Sequence, residues 1–354
     1  MTITVWPADV LAHHLVSPDP SARIVALGMA VQSGAPIDRC VDALVRAAEL
    51  SQGDPLASKL VATALGSLTP EFSNAAVQAC LVPLVTDAHD LPIRIAAAHA
   101  MFRLRCLPLA GVDSVCAMLF DSDANARKVA LLTLTPFASS AAATIAGRIA
   151  HTAPECWTTE ALLALARSAG GDAVAQRKVE GFLMRSLSGR RHLPTGIAEY
   201  AALAQLNPQG GAMAALVQVA ASTSDSEQSY AALDALGDLG EAARPVARQI
   251  ADLLVATDDP AREELLCRTL VRLRPPHRDL PARHVVQRVS SGLDRGAAAN
   301  CMLLCLHPRD FAAAAAVVRQ RFEVASNALQ QVLSQVHRTL TGVGLGGVAA
   351  KERN

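Results

Sequence analysis

The chain has 354 residues, with 32 Lys and Arg balanced by 32 Asp and Glu, so its formal net charge is zero. About half of it is apolar but only 3% is aromatic, and 69 Ala with 46 Leu make up nearly a third. This composition excludes broad disorder, argues against a uniformly basic binder of nucleic acid or anionic membrane, and favours helix, which Ala and Leu enter at least cost.

In chain order, the N-terminus MTITVWPADVLAHH lacks a basic stretch followed by an apolar core, so it reads as a capping helix over residues 1–17 and not as a secretory leader. Helical segments then open on a recurring Asp-x-x-x-Arg element: Asp19 to Arg23, Asp90 to Arg94, Asp123 to Arg127 and Asp258 to Arg262, with a looser Asp54 to Lys59. The basic residues 23, 59, 94 and 127 advance by 36, 35 and 33. Continuing at about that step reaches 162, 197, 230, 264 and 298, all inside segments with apolar residues at i, i+3, i+4 and i+7. Second amphipathic segments lie between them, as in RCVDALVRAAEL, AAVQACLVPLV, VDSVCAMLF, VARQIADLLVA and ARHVVQRVSSGL. Pro and Gly mark the joints. Asp at a joint is suited to cap the next helix, and the Arg one turn later to pair with that Asp.

The unit is therefore two antiparallel helices of about 12 to 15 residues, repeated about nine times over residues 18–323. A second capping helix is expected over 324–341, followed by a Gly-rich tail over 342–354. The longest purely apolar run, Phe311 to Val318, is too short to span a membrane. The eight Cys form no Cys-x-x-Cys pair and mostly sit in apolar helical stretches, which reads as reduced core thiols in a cytoplasmic protein. With 28 Arg to four Lys and so much Ala, the sequence carries the composition of a GC-rich bacterial genome.

The segment YAALDALGDLGEAARPVARQIADLLV, Tyr230 to Val255, resembles the HEAT-repeat family in its AAxALGxLG first helix, its Ala-Arg-Pro joint and its VxxxIxxLL second helix. The resemblance, including to the bacterial HEAT-like branch, is strongest in the first third and around 223–274, and rests on periodicity alone over 150–222. It implies an all-α fold, a right-handed α-solenoid of about nine helical hairpins in one continuous array, with second helices lining a concave face. It also implies that the Asp and Arg residues serve as caps and inter-repeat ladders.

Chemistry-bearing motifs are few. Some HEAT-like hydroxylases bind iron through His-Glu dipeptides, and this chain has none. His13, His14 and His284 read as partly exposed helix residues, and Cys301, Cys305 and His307 as core thiols beside a lone histidine rather than a metal site, because no fourth ligand is evident. GVGLGG in the tail lacks the strand and helix of a dinucleotide site. Trp157, between Glu155 and Glu160, is the one place where an aromatic sits beside carboxylates, as a base-excising HEAT-like enzyme would need; a core tryptophan at a helix start is the stronger reading. No cofactor, metal or catalytic residue is expected.

Charge is unevenly spread: residues 1–261 carry 18 basic and 25 acidic side chains, net −7, and residues 262–354 carry 14 and 7, net +7. Arg248, Arg283 and Arg319 recur at steps of 35 and 36 within second helices. A guanidinium row flanked by Arg244 and Arg288 is expected on that face, suited to carboxylates; its competing reading is a structural ladder with residues such as Asp252. The expected function is a non-enzymatic scaffold that binds a protein partner, one with an acidic surface, through its concave second-helix face. Nucleic-acid or membrane binding is not expected, and self-association is open. The alternatives are a HEAT-like nucleic-acid binder or DNA glycosylase using the basic C-terminal third, and a small-molecule handler like the chromophore lyases.

Overall fold

The computed structural model describes residues 6–32, 37–86, 90–189, 196–222, 226–257, 259–273 and Arg319. A short helix α1 (Ala8–Leu15) precedes a series of helical pairs: α2 (Pro20–Gln32) with α3 (Val41–Leu50), α4 (Pro55–Leu65) with α5 (Ala75–Thr86), α6 (Leu91–Arg103) with α7 (Leu109–Met118), and α8 (Ala124–Leu134) with α9 (Ala138–His151). The series continues as α10 (Thr159–Ser168) with α11 (Ala173–Gly189), α12 (Ile197–Leu206) with α13 (Gly211–Ala221), α14 (Ser226–Leu239) with α15 (Ala247–Ala256), and ends in α16 (Pro260–Leu273). Among the described residues the regular structure is all helical, and the helices run from 8 to 17 residues. The register positions 23, 59, 94, 127, 162, 197, 230 and 264 fall in α2, α4, α6, α8, α10, α12, α14 and α16, one per first helix. Position 298, the C-terminal cap and the tail lie outside the described residues.

Sequence explains the joints. The Asp54 carboxylate accepts hydrogen bonds from the Leu56 and Ala57 amides, with Pro55 opening α4, and Asp123 accepts from the Ala126 amide at the start of α8. Thr158 caps α10 in the same way. Each satisfies N–H groups that the first turn leaves without a helical partner. Asp90 stands at the same place before α6 but makes no side-chain cap bond. Before α16 the cap is Asp259, which accepts from the Ala261 amide; Asp258, named by the repeat pattern, is outside the described residues.

Among the described residues the expected pairing of the joint Asp with the basic residue one turn on does not form at Asp19, Asp54, Asp90 or Asp123. Arg23 instead donates to the carbonyls of Ser17 (2.7 Å), Pro18 (3.1 Å) and Leu50 (3.0 Å), tying the start of α2 to the joint before it and to the end of α3. Arg127 does likewise with the carbonyls of Asp121 and Ser122, each at 3.0 Å. The Asp carboxylates are already turned toward amides of the first turn, so the guanidinium, with donors and no acceptor, goes to free carbonyls of the joint.

The chain forms two compact units, Met1–Phe182 and Leu183–Asn354, the division falling within the unbroken helix α11. In the first, α2, α4, α6, α8 and α10 pack each on the next, as do α3, α5, α7 and α9. Each of these second helices also packs on the following first helix, and α1 packs on α2 and α3. In the second unit α12, α14 and α16 succeed one another in the same way, and α13 and α15 pack on their neighbours. This is the stacking that defines an α-solenoid, in which no repeat closes a core alone. The core is Leu, Ala and Val with few aromatics: Leu44, Val61, Leu65, Leu81, Ala97, Ala98 and Met101 are almost fully buried. Small residues let backbones approach closely; a Cβ on Gly66 would lie 3.0 Å from both Cα and Cβ of Ala100.

The stretch Ala124–His151 is, among the described residues, the one helical run long and apolar enough to cross a membrane. It is the α8–α9 pair, interrupted by a 3₁₀ turn at Thr135–Phe137 that holds Pro136, and it packs on α6, α7 and α10.

Candidate functional site

Polar side chains on the stacked helices are largely used to join one repeat to the next. Arg127 Nε meets Glu160 Oε2 at 3.2 Å, Arg148 meets Asp113 at 2.6 Å, and Arg94 lies 3.8 Å from Asp121. Arg272 Nη1 lies 3.2 Å from both Asp234 and Asp238, and Arg167 Nη1 donates to the Thr135 hydroxyl at 2.9 Å. Two buried threonines add hydroxyl contacts: Thr133 to the Ala98 carbonyl at 2.9 Å and Thr269 to the Leu233 carbonyl at 3.0 Å. The partners are separated in sequence by 27 to 38 residues, so these contacts cross from one repeat to another.

Against that background the expected arginine row divides. Arg244 is not on a second helix but on the 3₁₀ turn Gly240–Val246 before α15, where it pairs with Glu241 at 3.0 Å. Arg248 is exposed in the first turn of α15 and makes no ion pair among the described residues, neither with Asp252 nor with any other acid. Arg319 is exposed and helical. Arg283 and Arg288, the members of the row between Arg248 and Arg319, lie outside the described residues.

The other candidates resolve into packing. Trp157 donates its indole N–H to the Thr152 carbonyl at 3.0 Å and packs on Phe182 with ring centroids 5.0 Å apart. Glu160 is buried and held by Arg127, so it is not a carboxylate open to a substrate. His13 is exposed and His14 half-buried beside Trp6, while His284, Cys301, Cys305 and His307 lie outside the described residues. Among the described residues no group of three His, Cys, Asp or Glu could hold a metal ion. Cys40, Cys106, Cys116 and Cys267 are buried free thiols, Cys80 is half-buried, and Cys156 departs from expectation by being exposed. Burial pushes the Cys116 thiol up to about 12.

In the second unit a cavity of about 410 Å³ is lined by Leu253, Ala256, Tyr230, Asp259 and Arg262, among others. The Tyr230 hydroxyl donates to Asp259 at 2.7 Å, and Arg262 and Ser229 both donate to the Ala220 carbonyl. The hydrogen bond from Tyr230 holds the Asp259 carboxyl below its ordinary value, and the same bond holds the Tyr230 phenol up.

Sequence reasoning missed α11. Other second helices bury three or more residues, as α9 buries Ala138, Ala141, Ile145 and Ile149. Among the residues of α11 whose burial is described, 173–188, only Leu183 is buried. At 100° per residue, Val174, Arg177, Lys178, Gly181, Met184 and Arg185 share one sector of about a third of the circumference. Val174 is 54% and Met184 51% exposed, and the three cations are exposed beside them. A signal was present: Lys178 lies 70 residues before Arg248, two steps of 35, so extending the arginine row backwards reaches it.

The packing places the chain in the class of α-solenoids. No protein-family model matches it, and no curated protein sequence does either. Among solved structures it is similar to an engineered protein, at 18% identity over 75% of this chain and 96% of that one, with a TM-score of 0.33. It is also similar to a chain of the Kap95:Nup1 complex, at 11% identity over 95% of this chain, with a TM-score of 0.42; there it spans 52% of the other chain's length. A structure of the interaction between cadherin and beta-catenin gives 16% identity, 93% of this chain, 68% of the other and a TM-score of 0.32.

Proposed function

We propose that the protein is a non-enzymatic scaffold that binds a protein partner through the concave face expected of its second helices. The observation that carries this reading is Arg248: exposed on α15 and outside the ion-pair ladder that takes up Arg94, Arg127, Arg148 and Arg272. A guanidinium that no carboxylate among the described residues pairs is suited to a partner's carboxylate, which it meets bidentately. A salt bridge with Asp252 would have made it structural, and that bridge is not formed. Arg319, also exposed, belongs to the same register.

The test is affinity capture from the source cell with wild type and with Arg248→Glu/Arg283→Glu/Arg319→Glu, using Arg103→Glu as a control on an exposed arginine of the first helix α6. The expected result is a partner recovered by wild type and the control and lost from the triple variant. Equal recovery from all three removes the arginine row. Binding of a duplex whose affinity falls steeply with salt would favour the nucleic-acid alternative instead.

A further inference from the structure

The second helices α3 and α5 border a cavity of about 250 Å³ that lies wholly within the first unit. Its walls are two helical stripes, Val45, Ala48 and Glu49 from α3 and Ala79, Cys80 and Leu84 from α5, closed off by buried Val61 of α4. Most of this lining is apolar, but it contains two groups that only accept hydrogen bonds. Glu49 gives its Oε2 to Arg46 at 2.6 Å, and its Oε1 accepts no hydrogen bond among the described residues. Pro83, inside α5 and also in the lining, has no amide proton for the Ala79 carbonyl, which is thereby left without its helical donor. Gln52 and Ser58 complete the polar lining and can donate or accept. Burial, with the Glu49 charge adding to it, pushes the Cys80 thiol up, so at neutral pH it is an uncharged, soft part of the wall.

We infer that this cavity seats a tryptophan side chain of a partner protein, its indole between the α3 and α5 stripes and its N–H turned to the acceptors of the cleft. The inference rests on the scaffold reading and gives it an anchor in the first unit. Size and hydrogen bonding together choose the occupant. A whole drug-sized ligand takes about 300–1,000 Å³, more than this cavity offers. An apolar cavity of about 150 Å³ takes benzene, so the two fused rings of an indole suit the space between these limits. Tryptophan is the neutral aromatic side chain that carries a donor and no acceptor. A phenylalanine or leucine would cover the Glu49 and Ala79 acceptors without supplying a donor, which costs more than leaving them to water. A lysine or arginine would bring a charge into an apolar cleft whose carboxylate Arg46 already neutralises. Large aromatic side chains seated in such pockets are the anchors that dominate protein interfaces.

The test uses the full chain with a short Gly-Ser peptide carrying a central Trp, its Leu counterpart and free indole. Mass spectrometry reads how fast iodoacetamide labels half-buried Cys80 relative to exposed Cys156. At about four times its Kd the Trp peptide should slow Cys80 labelling about fivefold and leave Cys156 unchanged, and the Leu peptide should do neither. Ala79→Leu, which fills the cleft from an exposed position, should abolish the slowing with an unchanged circular-dichroism melt. No slowing by the Trp peptide, or equal slowing in wild type and Ala79→Leu, overturns the site. Equal slowing by the Leu peptide overturns the indole as its occupant. Slowing by free indole but not by the peptide assigns the cavity to a small molecule and overturns the partner. Each of these outcomes leaves the scaffold reading standing, because the capture experiment with the triple arginine variant decides that reading separately.

Discussion

Arg127 reaches across 33 residues of sequence to place its Nε 3.2 Å from Glu160 Oε2, and the same guanidinium holds the carbonyls of Asp121 and Ser122. The carboxylate is almost wholly buried, its side chain 5% exposed, while the arginine is 22% exposed. One side chain therefore closes a helix joint and neutralises a buried charge of the next repeat. Removing it leaves Glu160 desolvated and unpaired. Arg127→Met should destabilise the protein by about 3–5 kcal/mol in urea unfolding. Arg127→Met/Glu160→Leu should recover a large part of that loss, because a buried pair replaced whole costs far less than a pair broken. Equal stability of the single and double variants would show that the pair is not coupled.

The joints offer a comparison among aspartates. Asp54 and Asp123 accept amide hydrogen bonds at the starts of α4 and α8, and Asp90 accepts none at the start of α6. Asp54→Ala and Asp123→Ala should each cost about 1 kcal/mol, and Asp90→Ala only a few tenths. The check is the urea midpoint of the three variants at constant slope. A loss at Asp90 equal to the others would mean that the aspartates act through charge near the helix start and not through the cap bond.

Two glycines, Gly28 inside α2 and Gly66 at the C-cap of α4, should respond in opposite directions. A Cβ on Gly28, inside α2, meets nothing within 4 Å, so Gly28→Ala should gain about 0.5–1 kcal/mol from helix propensity. A Cβ on Gly66 would press at 3.0 Å on the backbone of Ala100, in the neighbouring helix α6. Gly66→Ala should therefore lose about 1–3 kcal/mol, the cost of forcing packed helices apart. Thermal unfolding of both variants beside wild type reads the two signs directly.

Cys116 and Cys156 should differ in chemistry. At neutral pH a thiol reagent should modify exposed Cys156 rapidly and leave buried Cys116 untouched until the protein unfolds. The Cys116 thiol is pushed up from 9.0 to about 12, so above pH 9 the native state keeps a proton that the unfolded chain gives up. Its contribution is then lost as pH rises through that window, by about 1.4 kcal/mol per pH unit. Below it the contribution is constant. Comparing wild type with Cys116→Ala across alkaline pH isolates it: the variant should show the shallower decline.

Much of this architecture was legible in the sequence, and the reasons lie in particular residues. The spacing of Arg23, Lys59, Arg94 and Arg127 located every first helix through α16, because each position recurs at the same joint and the apolar period follows it. The role of those arginines was not legible. Spacing of one helical turn suggests a pair with Asp19 or Asp123, but whether a guanidinium turns to a carboxylate or to a carbonyl depends on which acceptors the joint leaves free. Residues 150–222 matched by period alone, and the structure fills them with α10 to α13. What remained hidden there was the exposure of α11: its mean pattern is that of an ordinary amphipathic helix, and only the packing reveals how little of it is covered. The arginine row is a period in the sequence; that Arg248 pairs with no acid among the described residues is something no spacing decides.

Because the described helices pack chiefly on helices of their own and adjoining repeats, their contacts are with chain made shortly before or after them. Each unit can therefore assemble as a zipper, one pair laid on the last while synthesis proceeds, without waiting for a distant segment to close the core. The same arrangement fixes how it fails. A break at any pair bares two apolar faces at once, one on each side, so damage is felt at the cut and not at the far end.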